Sequence, residues 1–332
     1  MGVQYGLLWI YMSITANNHN NGNASIRLTI APGEDGMTAR GALRRVKGVS
    51  QRLIRKILHG EGEGAGALYI NDEIARFRDK VKAGDEVVLV LPEEESWIEP
   101  EDIPLTVLYE DEDILVINKQ PGMVVHPTKG HRDGTVAGAI VFHMQKRGES
   151  YRPRFISRLD MDTSGVLLVG KNSHVQNNLA RQGASDRVEK YYTAILNGRL
   201  EDVLPPSGVI DLPIGLAQPG EPQRTVLTEE EGGYPSRTEY ETLRTVFLEG
   251  RRLTVVRARL ITGRTHQIRV HFAHYGIPVL GDHLYGSPTP LISRQALHAA
   301  EIAFEHPVTA NKMRFEAPLP EDIAAFISSN MV

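Results

Sequence analysis

Residues 157–169 set the first constraint on how this chain can fold. Ser157-Arg158-Leu159-Asp160-Met161-Asp162-Thr163-Ser164-Gly165 packs a cation, two carboxylates, three hydroxyls and a glycine into nine residues. The apolar run Val166-Leu167-Leu168-Val169 follows directly. Four consecutive apolar residues, two of them β-branched, read as a buried strand. The polar cluster then lies on a loop feeding the core of a sheet. Such a loop, held by a rigid element, is where binding and catalytic groups concentrate.

At 332 residues the chain exceeds one ordinary core, so two domains or a domain plus a module are expected. It has no cysteine. That excludes disulfides, thiol catalysis and cysteine-ligated zinc, and fits a reducing cytoplasm. The apolar start around Leu7-Leu8-Trp9-Ile10-Tyr11 lacks a basic region before it and a small-residue cleavage site after it. It is too short to span a bilayer. Residues 1–24 read as a disordered leader, or as an overextended start, ahead of the first patterned segment.

The formal net charge of −4 conceals a strong asymmetry. Residues 40–60 hold seven Lys or Arg and no acid, whereas residues 93–113 hold ten acids and no base. A concentrated basic patch matters more for phosphate binding than the total charge does. Thr38 and Ser50 are placed to cap two short helices, the second over Gln51 to Leu58. In that helix Leu53, Ile54, Ile57 and Leu58 fall at helical spacing, which turns Arg52, Arg55 and Lys56 outward. The glycines at 60, 62, 64 and 66 match no phosphate-loop spacing and read as a connector. Strands follow over Ala67 to Ile70 and Glu86 to Leu91, with a turn at Asn71-Asp72. Residues 93–113 read as an extended acidic linker or a domain edge, since like charges repel and solvate the segment.

Three polar clusters carry candidate chemistry. An aspartate directly after Arg158-Leu159 has a cation beside it, which favours the ionised and hence nucleophilic form of Asp160. In Glu189-Lys190-Tyr191-Tyr192, strand alternation puts Lys190 and Tyr192 on one face, a cation beside a phenol that can stack on a base. Thr262-Gly263-Arg264-Thr265-His266-Gln267-Ile268-Arg269 brings two arginines near a helix start, for which Thr265 is the candidate cap. The plainer readings are a turn aspartate at Asp160, a packed strand tyrosine at Tyr192 and a surface ion pair at Arg269. Histidines 266, 271 and 274 match no strong zinc spacing, and Ser164 with His266 lacks the strand-turn-helix elbow motif of a hydrolase.

These pieces together resemble an RluA-type pseudouridine synthase. The match runs through Val125-His126-Pro127, Arg158 to Gly165, Lys190-Tyr191-Tyr192, Asp211-Leu212-Pro213-Ile214-Gly215, Thr262 to Arg269 and Leu280-Gly281-Asp282. Residues 25–92 resemble an S-four-like RNA-binding domain, on Val49 to Ile54, Tyr69-Ile70-Asn71 and Val81 to Val87. The resemblance implies an α+β fold, with a mixed, mainly antiparallel sheet and a central cleft in a catalytic domain over residues 114–332. It implies that a uridine in RNA, foremost ribosomal RNA of the large subunit, is flipped out and isomerised. Asp160 is implied as the carboxylate nucleophile, Tyr192 as the residue stacking on the base, and Arg269 as the partner of Asp160. Arg158, Thr163, Ser164, Lys190, Arg264, Arg52, Arg55 and Lys56 are implied as RNA-binding residues. No metal or organic cofactor, no membrane and no second subunit is implied. The alternatives are a transfer-RNA substrate, or a non-catalytic RNA-binding or assembly factor on the same fold. Ser157 departs from the family pattern, which places histidine there.

Overall fold

The computed structural model describes residues 24–60, 65–92, 94, 96–128 and 130–328. The leader expected over 1–24, apart from residue 24 itself, lies outside the described residues, as do two of the four clustered glycines.

The first unit contains β1 (Ser25–Thr29), α1 (Ala39–Val46), α2 (Gln51–Leu58), β2 (Ala67–Ile70), β3 (Glu73–Ile74) and β4 (Glu86–Val90). Its sheet runs β1-β4-β2-β3, with antiparallel neighbours throughout. Thr38 and Ser50 cap α1 and α2 by accepting from the backbone N–H of Gly41 and Leu53, both at 3.1 Å. Asn71 and Asp72 both take positive φ (51° and 67°), the geometry that closes a two-residue hairpin between β2 and β3. Ala42, Leu43, Leu53, Ile54 and Ile57 pack with Ile26, Leu28, Val87 and Leu89 into a core of the unit's own. Leu58 departs from the helical-spacing expectation: it is half exposed at the frayed end of α2, where His59 is the cap.

The second unit contains β5 (Thr106–Glu110), β6 (Ile114–Lys119), α3 (Val136–Lys146), β7 (Arg154–Phe155), β8 (Ser164–Gly170), α4 (Ser173–Ala184) and β9 (Glu189–Leu196). It continues with β10 (Ser207–Asp211), β11 (Ile214–Leu216), β12 (Arg224–Val226), β13 (Arg237–Leu248), β14 (Arg251–Leu260) and α5 (Gln267–His274). It ends with β15 (Leu297–Glu305), β16 (Lys312–Glu316) and α6 (Glu321–Ser328). The large sheet has ten strands, in the order β10-β13-β14-β9-β15-β8-β6-β5, with β16 against β15 and β7 against β8. Its pairings are antiparallel except β15 with β8, which is parallel. This is the mixed, mainly antiparallel α+β arrangement that the family resemblance implied.

The apolar runs of β6 and β8 exist because this part of the sheet is covered on both faces. Leu115, Ile117, Leu167 and Val169 join Ile140 of α3, Phe272 of α5 and Ile323 of α6 in one core. Ile114, Val116, Val166 and Leu168 join Val175 and Leu179 of α4 in the other.

Residues 93–113 correct the linker expectation. Within them β5 pairs with β6 in the large sheet, and Ile98 is buried in the main core. Several of their charges have partners. The Glu101 carboxylate accepts from the N–H groups of Gly134 and Thr135 at the start of α3. Glu110 meets His143 at 2.8 Å and Lys171 at 2.8 Å, and Asp111 meets His306 at 3.0 Å. Like-charge repulsion in the sequence is offset by cations arriving from distant segments.

Candidate active site

The loop before β8 is anchored from the far side of the sheet. Gly165 takes φ +114°, and a Cβ there would stand 2.1 Å from the Ala299 carbonyl oxygen. Only glycine allows β8 and β15 to approach this closely, at the register Ser164–His298 and Ala299–Gly165. The Ser164 hydroxyl lies 2.9 Å from His298 Nδ1, and Gln295 Nε2 donates to Thr163 Oγ1 at 3.3 Å. Arg294 Nη1 donates to the Asp162 carbonyl at 2.9 Å. Buried Lys119, at the end of β6, donates to the Met161 carbonyl at 2.7 Å and to that of Gln120 at 2.9 Å. Side chains from β6, from β15 and from the segment before β15 thus hold the loop, leaving the Asp160 carboxylate partly exposed.

Opposite the loop stands α5, buried along most of its length. Its N-cap is His266 rather than Thr265, and His266 adopts the left-handed conformation (φ 59°) without capping through its side chain. Gln267 braces the turn instead, its Oε1 accepting from Arg264 N at 3.0 Å and from Thr262 Oγ1 at 2.7 Å. Further into the helix, Arg269 Nη1 donates to Asp160 Oδ2 at 2.9 Å. Arg269 Nε and Nη2 donate to the two oxygens of Asp282, at 2.6 and 2.8 Å. Asp282 is fully buried and also accepts from the N–H groups of Leu284 and Tyr285.

The electrostatics follow from this chain of contacts. Burial opposes the charge on Arg269, but the hydrogen bonds and charge of Asp282 outweigh it, with Asp160 adding to them, and the pKa rises. Burial likewise pushes the Asp282 carboxyl up, but the Arg269 hydrogen bonds outweigh it and hold it below the ordinary range. Both ions therefore stay charged around neutrality, and Asp160 faces a permanent cation. Tyr192, buried on β9, is pushed up by desolvation and then by the Asp160 charge, which keeps its phenol neutral. Burial brings Lys119 down to about 7, against the pull of Asp162 and Asp160. His266 Nδ1 lies 2.8 Å from the Tyr285 hydroxyl, and its Nε2 is 3.9 Å from Asp160 Oδ1. Tyr285 also accepts from Arg224 N at 2.8 Å, and its ring lies 5.1 Å from the Arg269 guanidinium.

The structure brings Asp160, Tyr192 and Arg269 together, as the family resemblance implied. Lys190 shares the Tyr192 side of β9 by strand parity, and its ammonium lies beside Gly263, before α5. Arg158 is exposed on the loop. Thr163 and Ser164 differ from the expected RNA-contact role, since both side chains are buried and engaged by Gln295 and His298. Arg264 is turned away, donating to the Pro235 carbonyl at 3.2 Å and lying over Tyr234. Arg52 and Arg55 are exposed on α2 in the first unit, and Lys56 is paired with Glu94 at 2.6 Å. Sequence reading missed Lys119 and Tyr285, and left His266 as ordinary packing or an RNA contact. Asp282 was visible only as part of Leu280-Gly281-Asp282. A candidate metal cluster, Asp111, Asp113 and His306, lies elsewhere, where Asp111 also accepts from the N–H groups of Asp113 and Ile114 to form a turn.

Comparison with known proteins bears on the same residues. A family model described as RNA pseudouridylate synthase matches residues 113–274. An uncharacterised RNA pseudouridine synthase of Bacillus subtilis is 38% identical over 282 residues, covering 84% of this chain and 95% of the relative. Ribosomal large subunit pseudouridine synthase D of Vibrio parahaemolyticus is 39% identical over 277 residues, covering 78% of this chain and 82% of the relative. Among solved structures, human RNA Pseudouridylate Synthase Domain Containing 1 is 27% identical with a TM-score of 0.53, covering 68% of this chain and 86% of that one. With the ordered motifs of the sequence, the mixed sheet and the Asp160–Arg269 pair between the β8 loop and α5, these likenesses agree: the chain belongs to the RluA-type RNA pseudouridine synthases, isomerases that convert uridine in RNA to pseudouridine.

Proposed function

We propose that this enzyme modifies uridine in the ribosomal RNA of the large subunit, with Asp160 as its nucleophile. The observation that carries the catalytic assignment is the pairing of Asp160 with Arg269 at 2.9 Å, beside the buried phenol of Tyr192. A carboxylate fixed by a charged hydrogen bond is ionised and aimed before substrate arrives. The target nucleotide is flipped out of its stack so that the sugar and base reach the cleft. Asp160 forms a bond to the nucleotide as the N-glycosidic bond breaks, and the electron pair of that bond leaves with the uracil. The freed uracil turns and rejoins the ribose through C5. The C5 proton is lost, N1 regains one, and Asp160 is released, so no atom is gained or lost overall. Tyr192 stacks on the base and relays a proton through its neutral hydroxyl. Arg269 holds the Asp160 carboxylate in place, and Arg158, exposed on the same loop, helps to extrude the base or hold the strand.

Ribosomal RNA is favoured because several relatives carry that activity in their names, one of them at 39% identity over 78% of this chain. The first unit supports the same reading: its two capped helices and small sheet fit an S-four-like RNA-binding module over residues 25–92, with Arg52, Arg55 and Lys56 on the outer face of α2. No helix of the described residues is long and apolar enough to cross a membrane. A monomer acting in the cytoplasm is the accompanying reading. The test is a pseudouridine map of cellular RNA with and without the gene. Loss of one or more large-subunit sites is expected; loss confined to transfer RNA would replace the substrate assignment.

A further inference from the structure

The basic residues of the first unit do not all lie on one face. Lys56 is neutralised by Glu94, and Arg52 and Arg55 project from α2. Arg40, Arg44 and Arg45 of α1 instead line an open groove of about 880 Å³ between the first unit and α4 of the second. The opposite wall includes Asn177, Ala180 and Arg181 of α4. Four arginines line the groove and no acid does. Among the described residues none of the four forms an ion pair. The N-terminal residues of α2, Ser50 and Gln51, also border it, adding the positive end of a helix dipole. In a chain of net charge −4, this is a concentrated and unneutralised positive field.

The seam is fastened by one of these arginines. Arg181 Nη2 donates to the Gly48 carbonyl at 2.9 Å, and its Nε donates to the Asn177 carbonyl at 3.3 Å. Gly48 takes φ +65°, and a Cβ there would stand 3.1 Å from Arg181 Nη1. Gly48 therefore lets the guanidinium of the large unit sit close against the small one. The groove is composite, because neither unit alone supplies both walls.

We infer that this groove is a binding site for the phosphodiester backbone of the substrate RNA, running across the seam between the two units. Arginine forks spaced along a groove suit successive phosphates, whose oxygens take paired N–H donors. No acid lines the groove, and Glu101 and Glu110 have partners elsewhere, at the start of α3 and at His143 and Lys171. The site rests on the reading of this chain as an enzyme acting on RNA, and extends it by giving α4 of the catalytic unit a share in RNA contact. Arg181 has a double role, latching the seam and presenting charge to the RNA.

The experiment measures binding of the full chain to a fluorescein-labelled RNA hairpin by anisotropy, over salt from about 50 to 200 mM, because each lost phosphate contact lowers the slope of log K against log salt by about 0.7 to 0.9. Arg40→Gln/Arg44→Gln/Arg45→Gln is expected to flatten the slope by about 2 and to weaken binding at least about tenfold. Arg181→Gln alone is expected to flatten it by about 0.7, while Arg181→Lys, which keeps the charge but not the fork, retains the wild-type slope. A wild-type slope in the triple variant overturns the site. A flattened triple variant with an unchanged Arg181→Gln overturns its composite character and confines the contact to the small unit. The measurement is independent of isomerisation. A wild-type enzyme that bound the hairpin but left every cellular uridine unmodified would fail the proposed function and still report on the groove.

Discussion

The guanidinium of Arg269 is shared unequally between Asp282 and Asp160. Nε and Nη2 chelate the buried Asp282 carboxylate at 2.6 and 2.8 Å, and only Nη1 is left for Asp160, at 2.9 Å. Asp282 thereby sets the direction in which Arg269 offers its last N–H. Asp282→Asn should leave Arg269 with one good acceptor and an amide N–H group facing it. Breaking a buried pair from one side costs about 3 to 5 kcal/mol. We expect that loss in urea denaturation, together with a fall in kcat larger than any rise in KM. A variant with full stability and wild-type kcat would remove Asp282 from the machinery.

Asp160→Asn tests the nucleophile directly. The amide keeps the shape of the side chain and can still accept from Arg269 through its oxygen. Pseudouridine formation should fall by at least about 10³-fold, as expected when a covalent step is lost, while RNA affinity persists. Single-turnover conversion of labelled RNA and a parallel binding titration separate the two. Unchanged turnover would sink the mechanism.

The close approach of β8 and β15 leaves no room at Gly165. Gly165→Ala would set a Cβ 2.1 Å from the Ala299 carbonyl oxygen, at a φ of +114° that L residues rarely adopt. Backbone must move on one side, and overpacking of this kind costs upward of about 1 to 3 kcal/mol. We expect a lower denaturation midpoint and a loss of activity with it, because Asp160 lies five positions away on the same loop. Wild-type activity in Gly165→Ala would show that the loop does not depend on this contact.

Acid should weaken the fold before it reaches the buried Asp282 carboxyl, which Arg269 holds below the ordinary range. Burial pushes His174 and His271 down to about 4, from 6.5. Between those values the unfolded chain binds protons that the folded chain refuses, so stability falls as pH drops from 6.5 toward 4. Asp113 has the opposite sign: burial and then Asp111 push it up to about 6, so its contribution is fullest at low pH and is lost as pH rises through 6. From pH 7 to 5 the histidines together remove about 4 kcal/mol and Asp113 returns about 1, an expected net loss of about 3 kcal/mol. Urea midpoints at the two pH values check it, and His174→Gln should flatten the dependence. Equal midpoints in the wild type would contradict the assignment.

The outer face of α2 provides a test of the module. Neutralising Arg52, Arg55 and Lys56 is expected to weaken RNA binding, with a smaller change from Lys56, whose charge Glu94 already meets at 2.6 Å. A salt slope equal to the wild type's would identify the face as solvated surface only.

The features legible in the sequence were local ones. The Thr38 and Ser50 caps, the Asn71-Asp72 turn and the passage from polar loop to buried strand at Gly165 each depend on residues within a few positions of one another. Asp160, Tyr192 and Arg269 were brought together in advance by family resemblance, because no periodicity links residues 109 positions apart. Ser164 was read as facing RNA because its partner, His298, stands 134 positions downstream. Residues 93–113 were read as a linker because their counter-charges, Lys171 and His306 among them, lie in other segments. His266 was hidden by its left-handed backbone, which no neighbouring glycine or asparagine announces.

The position of β15 has a consequence for the order in which this enzyme is made. It lies between β9 and β8, and so joins the β10-β13-β14-β9 side of the sheet to the β8-β6-β5 side. Residues 297–305 leave the ribosome after both of those sides, and before they do no strand can stand between β9 and β8. Arg294, Gln295 and His298, which hold the Asp160 loop, arrive in the same stretch. A nascent chain can therefore contain Asp160, Tyr192 and Arg269 and still lack a catalytic centre. The segment that completes the Asp160 loop is thus made after all three of these residues.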